Sequence, residues 1–463
     1  MRDQTSGKPR VRRGTWIAWG ALALALVLAG SAVAASAAGI LVAPAAVATV
    51  DPLDFADPPT EEPAEPAFGP AEAQPLPSPE ALKAGIDALD RTGLGSVGIA
   101  IASLDGDGLL VDENAGAPGI PASSHKILTA TAALSALGAE HRFTTRVVRE
   151  GTTLTIVGGG DPFLMSSVDE KYPLAASVVD LARSTAEALR SDGVTAVDLF
   201  FDGTLFTGDG WHPAWTEDYH LDVSPITALV VDAGLAGERD WGEYSLDPAG
   251  DAATAFATAL TAEGINVSVL GAAVAAPEAT EVARVDSLPL RLIIQQLLLT
   301  SDNVASEMLL RHIGLAGGQP GSFIGGAEAM RARLTELGLW AEGMVIDDGS
   351  GLSLGNRDTP AVLAAAVRHA FSDEDYSTIM TGLPTAGVDG TLHDRFDDDP
   401  ETPARGLVRA KTGTLTGVRT LTGLAPTAAG GYVAFSFLCN DSLDDYAMLD
   451  WLDRAGAALV TTN

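Results

Sequence analysis

The stretch Pro121-Ala122-Ser123-Ser124-His125-Lys126, leading into the apolar run Ile127 to Leu137, constrains this chain more than any other. Pro121 stands just before the expected helix start, and Gly138 follows the last periodic leucine, where a helix normally stops. With the run helical, Ser123 and Lys126 lie on one face, one turn apart. A serine at a helix N-terminus with a lysine one turn on is the geometry of a Ser/Lys nucleophile pair. The dipole stabilises negative charge near the oxygen, and a neutral amine can take its proton. The plain alternative for Ser-x-x-Lys is a capped helix with an exposed lysine. The match discriminates here because the chain has five lysines (Lys8, Lys83, Lys126, Lys171 and Lys411), and only Lys126 has a serine three residues earlier. Ser124 does not substitute, since its i+3 neighbour is Ile127.

With 463 residues and 46% hydrophobic content, the chain can bury a large core and suggests two or three domains. Its formal charge is -33. Residues 1–50 hold five of the 28 basic side chains (Arg2, Lys8, Arg10, Arg12, Arg13) and one of the 61 acids, Asp3. The remainder therefore carries 23 basic against 60 acidic side chains, or -37. A body this acidic argues against nucleic-acid binding or docking on anionic membranes. The one cysteine, Cys439, excludes an internal disulfide and sits in an apolar run as a core residue.

After Arg13 no charge appears until Asp51, and Trp16 to Ala29 is densely apolar, followed by small residues. This reads as a secretory signal peptide or an uncleaved membrane anchor, its positive flank leaving the body outside the cytoplasm. Residues 51–78, rich in Pro, Ala, Asp and Glu, read as an extended tether. Folded sequence is expected from Pro79, where Leu82, Ile86 and Leu89 follow helical spacing. A strand over Ser96 to Leu104, a turn at Asp105-Gly106-Asp107-Gly108 and a returning strand from Leu109 to Asp112 precede Ser123. Residues 79–139 and 289–463 are assigned to one catalytic domain and residues 140–288 to an insertion. The insertion carries strand-like runs (Arg146 to Val148, Thr153 to Val157, Ala196 to Phe201) and the cluster Gly158-Gly159-Gly160-Asp161-Pro162. That cluster lacks the Gly-Lys-Ser/Thr ending of a phosphate loop and reads as a tight turn. Trp211, Trp215 and Tyr219 could stack on a sugar, with core packing the plainer use. His212 and His220 lack partners at metal-ligand spacing, so no metal is expected. Later come the apolar helix Leu290 to Thr300 and the helix Val304 to Ile313, with Ser301-Asp302-Asn303 between them. The helix Ala361 to Phe371 follows, and then Lys411-Thr412-Gly413 in a strand, where a glycine marks close approach of another backbone. Strands Val418 to Leu424 and Tyr432 to Cys439 follow. Leu443, Tyr446, Leu449 and Leu452 suggest a terminal amphipathic helix.

Ser123-x-x-Lys126, Ser301-x-Asn303 and Lys411-Thr412-Gly413 occur once each, in the order shared by penicillin-binding proteins and class A β-lactamases. From Gly95 onward the chain resembles the D-alanyl-D-alanine carboxypeptidase/endopeptidases of the S13 peptidase family, the low-molecular-mass class C penicillin-binding proteins. The words that carry this are Pro121-Ala122-Ser123, Gly158-Gly159-Gly160-Asp161-Pro162, Asp348-Gly349-Ser350-Gly351-Leu352-Ser353 and Leu383-Pro384…Gly387…Gly390-Thr391-Leu392. The long insertion between Lys126 and Ser301 also fits, although it is short for the family. The resemblance implies an α+β fold with a serine β-lactamase/penicillin-binding-protein-like core: an antiparallel sheet flanked by helices, a helical subdomain, and an inserted mostly β domain. It implies cleavage of the terminal D-Ala–D-Ala bond of peptidoglycan stem peptides, possible action on D,D cross-links, and β-lactams as covalent inhibitors.

Acyl transfer needs a nucleophile, a base and an oxyanion site. Ser123 is the expected nucleophile. Lys126 is the base, neutral because burial and a nearby Lys411 ammonium lower its pKa. Ser301 relays a proton to the leaving amine, and Asn303 holds a substrate amide. Lys411 and Thr412 suit the terminal carboxylate, with Gly413 permitting close approach. The N–H groups of Ser123 and Thr414 form the oxyanion hole. No metal or organic cofactor is required. Two other readings compete. A class A β-lactamase would need a Glu-x-x-Leu/Met-Asn loop beyond Asn303, and Glu307, Glu328, Glu336 and Glu342 lack the asparagine. A non-catalytic wall-binding module would have no need of Lys126.

Overall fold

The computed structural model of the protein describes residues 75–104, 106, 108–168, 174–236 and 243–463. The expected signal or anchor, the tether as far as residue 74, and Asp105 and Asp107 of the expected turn lie outside the described residues. The body begins slightly before the expected Pro79: Pro75 O accepts from Gly431 N–H at 3.0 Å, and Leu76 packs against the core.

Helix α1 (Pro79–Asp87) leads to the hairpin β1 (Ser96–Ser103) and β2 (Leu109–Glu113). A 3-10 turn over Ala122–His125 feeds α2 (Lys126–Leu137). Then come β3 (Thr144–Glu150), β4 (Thr153–Val157), α3 (Val178–Ser191), β5 (Ala196–Asp202) and the short ribbon β6 (Leu235–Ala236) and β7 (Glu243–Tyr244). They are followed by α4 (Pro248–Ala262), β8 (Asn266–Ala272) and β9 (Thr280–Asp286). Five helices succeed them: α5 (Leu290–Thr300), α6 (Asn303–Ala316), α7 (Phe323–Glu336), α8 (Pro360–Ser372) and α9 (Ser377–Gly382). The chain closes with β10 (Arg409–Leu415), β11 (Val418–Pro426), β12 (Tyr432–Asn440) and α10 (Asp445–Thr461).

One sheet runs β10-β11-β12-β1-β2, antiparallel throughout, with β10 at an edge. Alternation along β12 shows why both faces are covered. Val433, Phe435, Phe437 and Cys439 point to a core shared with α1 and α10, while Ala434 and Leu438 point to the core of the helical layer. On α10 the buried face is Met448, Trp451, Leu452 and Ala455. Of the expected apolar stripe Leu452 is on this face, but Leu443 precedes the N-cap Asp444 and is 95% exposed, and Tyr446 is 74% exposed.

The second sheet, β8-β5-β4-β3-β9, is drawn wholly from residues 144–286. Its strands β4, β5 and β8 are parallel, so each junction needs a crossover. Helices α3 and α4 supply the crossovers and share an apolar core with the sheet (Val147, Leu154, Leu181, Leu189, Phe256, Leu260). The strand-rich insertion thus contains two helices that its sequence pattern did not announce. Gly158 and Gly160 donate to Asp202 O and Ala228 O at 2.8 Å, which carries the chain tightly past β5 into a turn where Asp161 accepts from Phe163 N–H at 2.9 Å.

Residues 203–231 fold back onto the helical layer. Phe206, Trp215, Val223 and Ile226 join α2 and α5 to α8 in one core. Arg311 of α6, fully buried, donates to Thr207 O at 3.0 Å and Asp209 O at 2.8 Å and lies over the Phe323 ring at 4.5 Å. Trp215 is therefore a core residue, as its plainer reading held, and Trp211 stacks on His220 with ring centroids 3.9 Å apart. Among the described residues no helix is long and apolar enough to cross a membrane.

Candidate active site

The turn that carries Ser123 is built under strain. Ala122 has φ +46°, a left-handed conformation uncommon for a residue with a side chain. It is held from two sides by glycines. A Cβ on Gly413 would lie 2.0 Å from Thr420 Oγ1 and 2.8 Å from Pro121 O, and one on Gly351 would lie 2.0 Å from Ala122 O. The backbone that approaches Gly413 is thus the chain's own Pro121–Ala122, where the sequence had suggested a substrate. Thr420 Oγ1 donates to Pro121 O at 2.9 Å and is 2.8 Å from Ser124 Oγ. Ser124 is buried and structural, and Ser123 is left half-buried at the cavity wall.

Lys126 begins α2, and its Nζ lies 2.9 Å from Ser123 Oγ, 2.7 Å from Asn303 Oδ1 and 2.7 Å from Ser350 O. The side chain is fully buried. Burial pulls its pKa down to about 8, against the opposing pull of the Asp348, Glu307, Asp302 and Asp222 carboxylates. Lys411, also fully buried, donates to Thr412 O at 2.9 Å. Burial holds it well below the ordinary lysine value, and the Lys126 ammonium lowers it further. The expected repulsion between the two amines is present and opposes both being protonated together. Burial is what lowers Lys126.

Ser301 closes α5 in a left-handed conformation, φ +62°, and Asp302 caps α6 by accepting from Ala305 N–H at 2.8 Å. This break between two helices sets Asn303 at the start of α6, facing Lys126. Asn303 Nδ2 donates to Asp222 O at 2.9 Å. Each of its two polar atoms retains one further hydrogen-bonding position.

On β10, Ala410 N–H donates outward to Pro384 O at 2.9 Å, away from β11. Along a strand alternate N–H groups share a direction, so those of Thr412 and Thr414 also point to the open edge. Thr412 Oγ1 lies 2.8 Å from Thr391 Oγ1. Ser123, Ser301, Asn303, Thr412 and Thr414 line one cavity of about 1560 Å³, which runs between α5 and residues of the inserted segment such as Tyr219 and Asp222. Sequence reasoning missed Asp222, Ser350 and Thr391. The last two lay in the words Asp348–Ser353 and Gly390–Leu392, noticed there as a pattern without a role.

Behind the site, Asp348 accepts from Gly351 N–H at 2.8 Å, Ser353 N–H at 2.6 Å, Asn356 Nδ2 at 2.7 Å and Trp215 Nε1 at 2.9 Å. His125 Nδ1 lies 2.8 Å from Asp358 Oδ2, both fully buried. Burial alone would lower the imidazole, but the Asp358 carboxylate raises it overall.

The profile of the D-Ala-D-Ala carboxypeptidase 3 (S13) family matches residues 85–239 and 237–459. The chain is 36% identical over 341 residues to a carboxypeptidase of Mycobacterium tuberculosis, covering 70% of this chain and 72% of the relative. It is 32% identical over 453 residues to carboxypeptidase DacB of Mycolicibacterium smegmatis, covering 94% of each. Among solved structures, penicillin binding protein 4 of Haemophilus influenzae shares the fold with a TM-score of 0.67 at 21% identity, over 82% of this chain and 98% of that one. A match spanning both halves of the body, with the three motifs meeting in one cavity, leaves one assignment: the chain belongs to the D-Ala-D-Ala carboxypeptidase 3 (S13) family.

Proposed function

We propose that this chain is a serine D,D-peptidase that cleaves the terminal D-Ala–D-Ala bond of peptidoglycan stem peptides, and D,D cross-links, through an acyl-enzyme on Ser123. The observation that carries this reading is the position of Lys126 Nζ, 2.9 Å from Ser123 Oγ and 2.7 Å from Asn303 Oδ1 in a fully buried setting.

The scissile peptide lies along the open edge of β10 as an added strand. Ser123 Oγ attacks the carbonyl carbon of the penultimate D-Ala and passes its proton to neutral Lys126 Nζ. The N–H groups of Ser123 and Thr414 hold the oxyanion. Ser301 relays a proton to the departing amine, and the C–N bond breaks. Water then attacks the ester carbonyl and releases the shortened peptide, with the proton returning to Ser123 Oγ through Lys126. Thr412 and Lys411 receive the terminal carboxylate, whose charge favours the protonated form of Lys411. β-Lactams enter by the same acylation and stay.

Peptidoglycan lies outside the cytoplasmic membrane, and the basic cluster ending at Arg13 with the uncharged run to Asp51 supports export, followed by anchoring or release. The test of the activity is D-Ala release from a defined pentapeptide and cleavage of a cross-linked dimer by the purified protein. Release of neither, with penicillin acylation also absent, overturns the reading. Cell fractionation that finds the full-length chain chiefly in the cytosol overturns export.

A further inference from the structure

Glu307 lies four residues beyond Asn303 on α6 and is fully buried. One face of that helix therefore carries both residues, a turn apart. Its carboxylate accepts from Gly349 N–H at 3.0 Å and from Ser350 N–H at 2.6 Å. Ser350 is the residue whose carbonyl oxygen accepts from Lys126 Nζ at 2.7 Å. The same turn is tied to α2 by Thr129 Oγ1, which donates to Gly349 O at 2.7 Å. A chain of contacts thus runs from Glu307 through the backbone N–H and C=O of Ser350 to the amine beside Ser123. Helix α6 holds Lys126 twice, directly through Asn303 and indirectly through Glu307. Removing the second hold frees a glycine-flanked turn, because Gly349 and Gly351 stand on either side of Ser350.

We infer that Glu307 is a positioning residue for the Lys126 base, pinning the Gly349–Ser350 turn so that Ser350 O aims the amine at Ser123. The inference rests on Ser123 and Lys126 forming the nucleophile and base. Glu307 has a second effect through charge. Lys126 is faced by the carboxyl groups of Glu307 on α6, Asp348 on the turn, Asp302 at the head of α6 and Asp222 of the inserted segment, and by the amine of Lys411 on β10. Glu307 in turn faces Asp348, Arg311 on its own helix and His125 of the nucleophile turn. Burial and the Asp348 charge raise Glu307 to about 8, so it is partly ionised over the pH range in which Lys126 titrates.

The experiment measures the second-order rate of acylation by a fluorescent penicillin from pH 5 to 10 for wild type, Glu307→Gln and Glu307→Ala, with Tm recorded for each. Glutamine keeps the one oxygen, Oε1, that accepts from both N–H groups and removes the charge. Alanine removes the hold. A base displaced by about 1 Å costs on the order of 100-fold. The expected result is a loss of about that size in Glu307→Ala and a loss at least tenfold smaller in Glu307→Gln. The acidic limb should also move to lower pH in Glu307→Gln, since the partly ionised Glu307 no longer favours the Lys126 ammonium. Both variants acylating within twofold of wild type, with an unmoved limb, overturns the inference. So do equal losses in both folded variants with an unmoved limb, which mark a structural role alone. Should Glu307→Ala fail to fold, the limb of Glu307→Gln decides: a downward shift supports the inference and an unmoved limb overturns it. Absence of acylation in wild type would instead refute the Ser123–Lys126 reading itself.

Discussion

Lys126 is fully buried beside three oxygens, yet the proposed mechanism requires it to present a lone pair to Ser123. Burial reconciles the two demands by lowering its pKa to about 8, so that a useful fraction of the amine is neutral near pH 7. In the proposed mechanism acylation proceeds only from the neutral form, so its rate falls as pH drops through that value. The kcat/KM profile on a D-Ala–D-Ala peptide should therefore show an acidic limb near pH 8; a limb near the ordinary lysine value would mean that burial does not lower the amine. At Lys411 the proposed role is carboxylate binding. Lys411→Met preserves most of the buried shape and removes the amine, and a hydrogen bond to a charged group contributes about 1.5–3 kcal/mol. The expected fall in kcat/KM is roughly 10- to 150-fold at 1.4 kcal/mol per decade, and an unchanged value would place Lys411 outside the site. These residues were legible because the motif spacings are local and rare in a chain with few lysines. Glu307 and Asp222 were not legible, because what brings them to Lys126 is the packing of α6 against the Gly349–Ser350 turn and the return of residues 203–231 onto the helical layer.

Elements that carry a single period or a turn residue at each end were readable, such as α5, whose bounds Leu290–Thr300 match the expectation. Helices α3, α4 and α7 were overlooked; α4 and α7 are rich in alanine and glycine, and the short apolar side chains blur any stripe. The parallel pairing of β4, β5 and β8 was equally hidden, since strand periodicity does not report a partner's direction. Gly413 was noticed as a place of close approach, but its partner could only be found in the fold. Its role makes a prediction about how two elements dock. In Gly413→Ala the new Cβ meets Thr420 Oγ1 and Pro121 O, and backbone must move to relieve it. Strand β10 should back away from the Ser123 turn, carrying Thr414 N–H with it, and acylation should fall by about 100-fold. Stopped-flow penicillin acylation checks this, and a rate within threefold of wild type would mean that the contact is dispensable.

Across the molecule, one sheet edge, a helix break and a helical turn drawn from β10, α5–α6 and Ala122–His125 meet at one cavity, and the segment 203–231 that returns onto the helical layer adds Tyr219, Leu221 and Asp222 to its lining. Such convergence is why three short words, each weak alone, could be read together from a chain otherwise dominated by alanine, glycine and acidic residues. The overall charge of -33 excluded partners without naming one; the substrate is identified only by the site. The proposed mechanism depends on which oxygen becomes acylated, and Ser123 and Ser124 are adjacent. The decisive measurement is intact-protein and peptide mass spectrometry after incubation with a penicillin, for wild type, Ser123→Ala and Ser124→Ala. One adduct on Ser123 is predicted in wild type and in Ser124→Ala, the latter less stable by about 1 kcal/mol for its lost hydrogen bond to Thr420, with no adduct in Ser123→Ala. An adduct that persists in Ser123→Ala, or one that maps to Ser124 or Ser301, would contradict it.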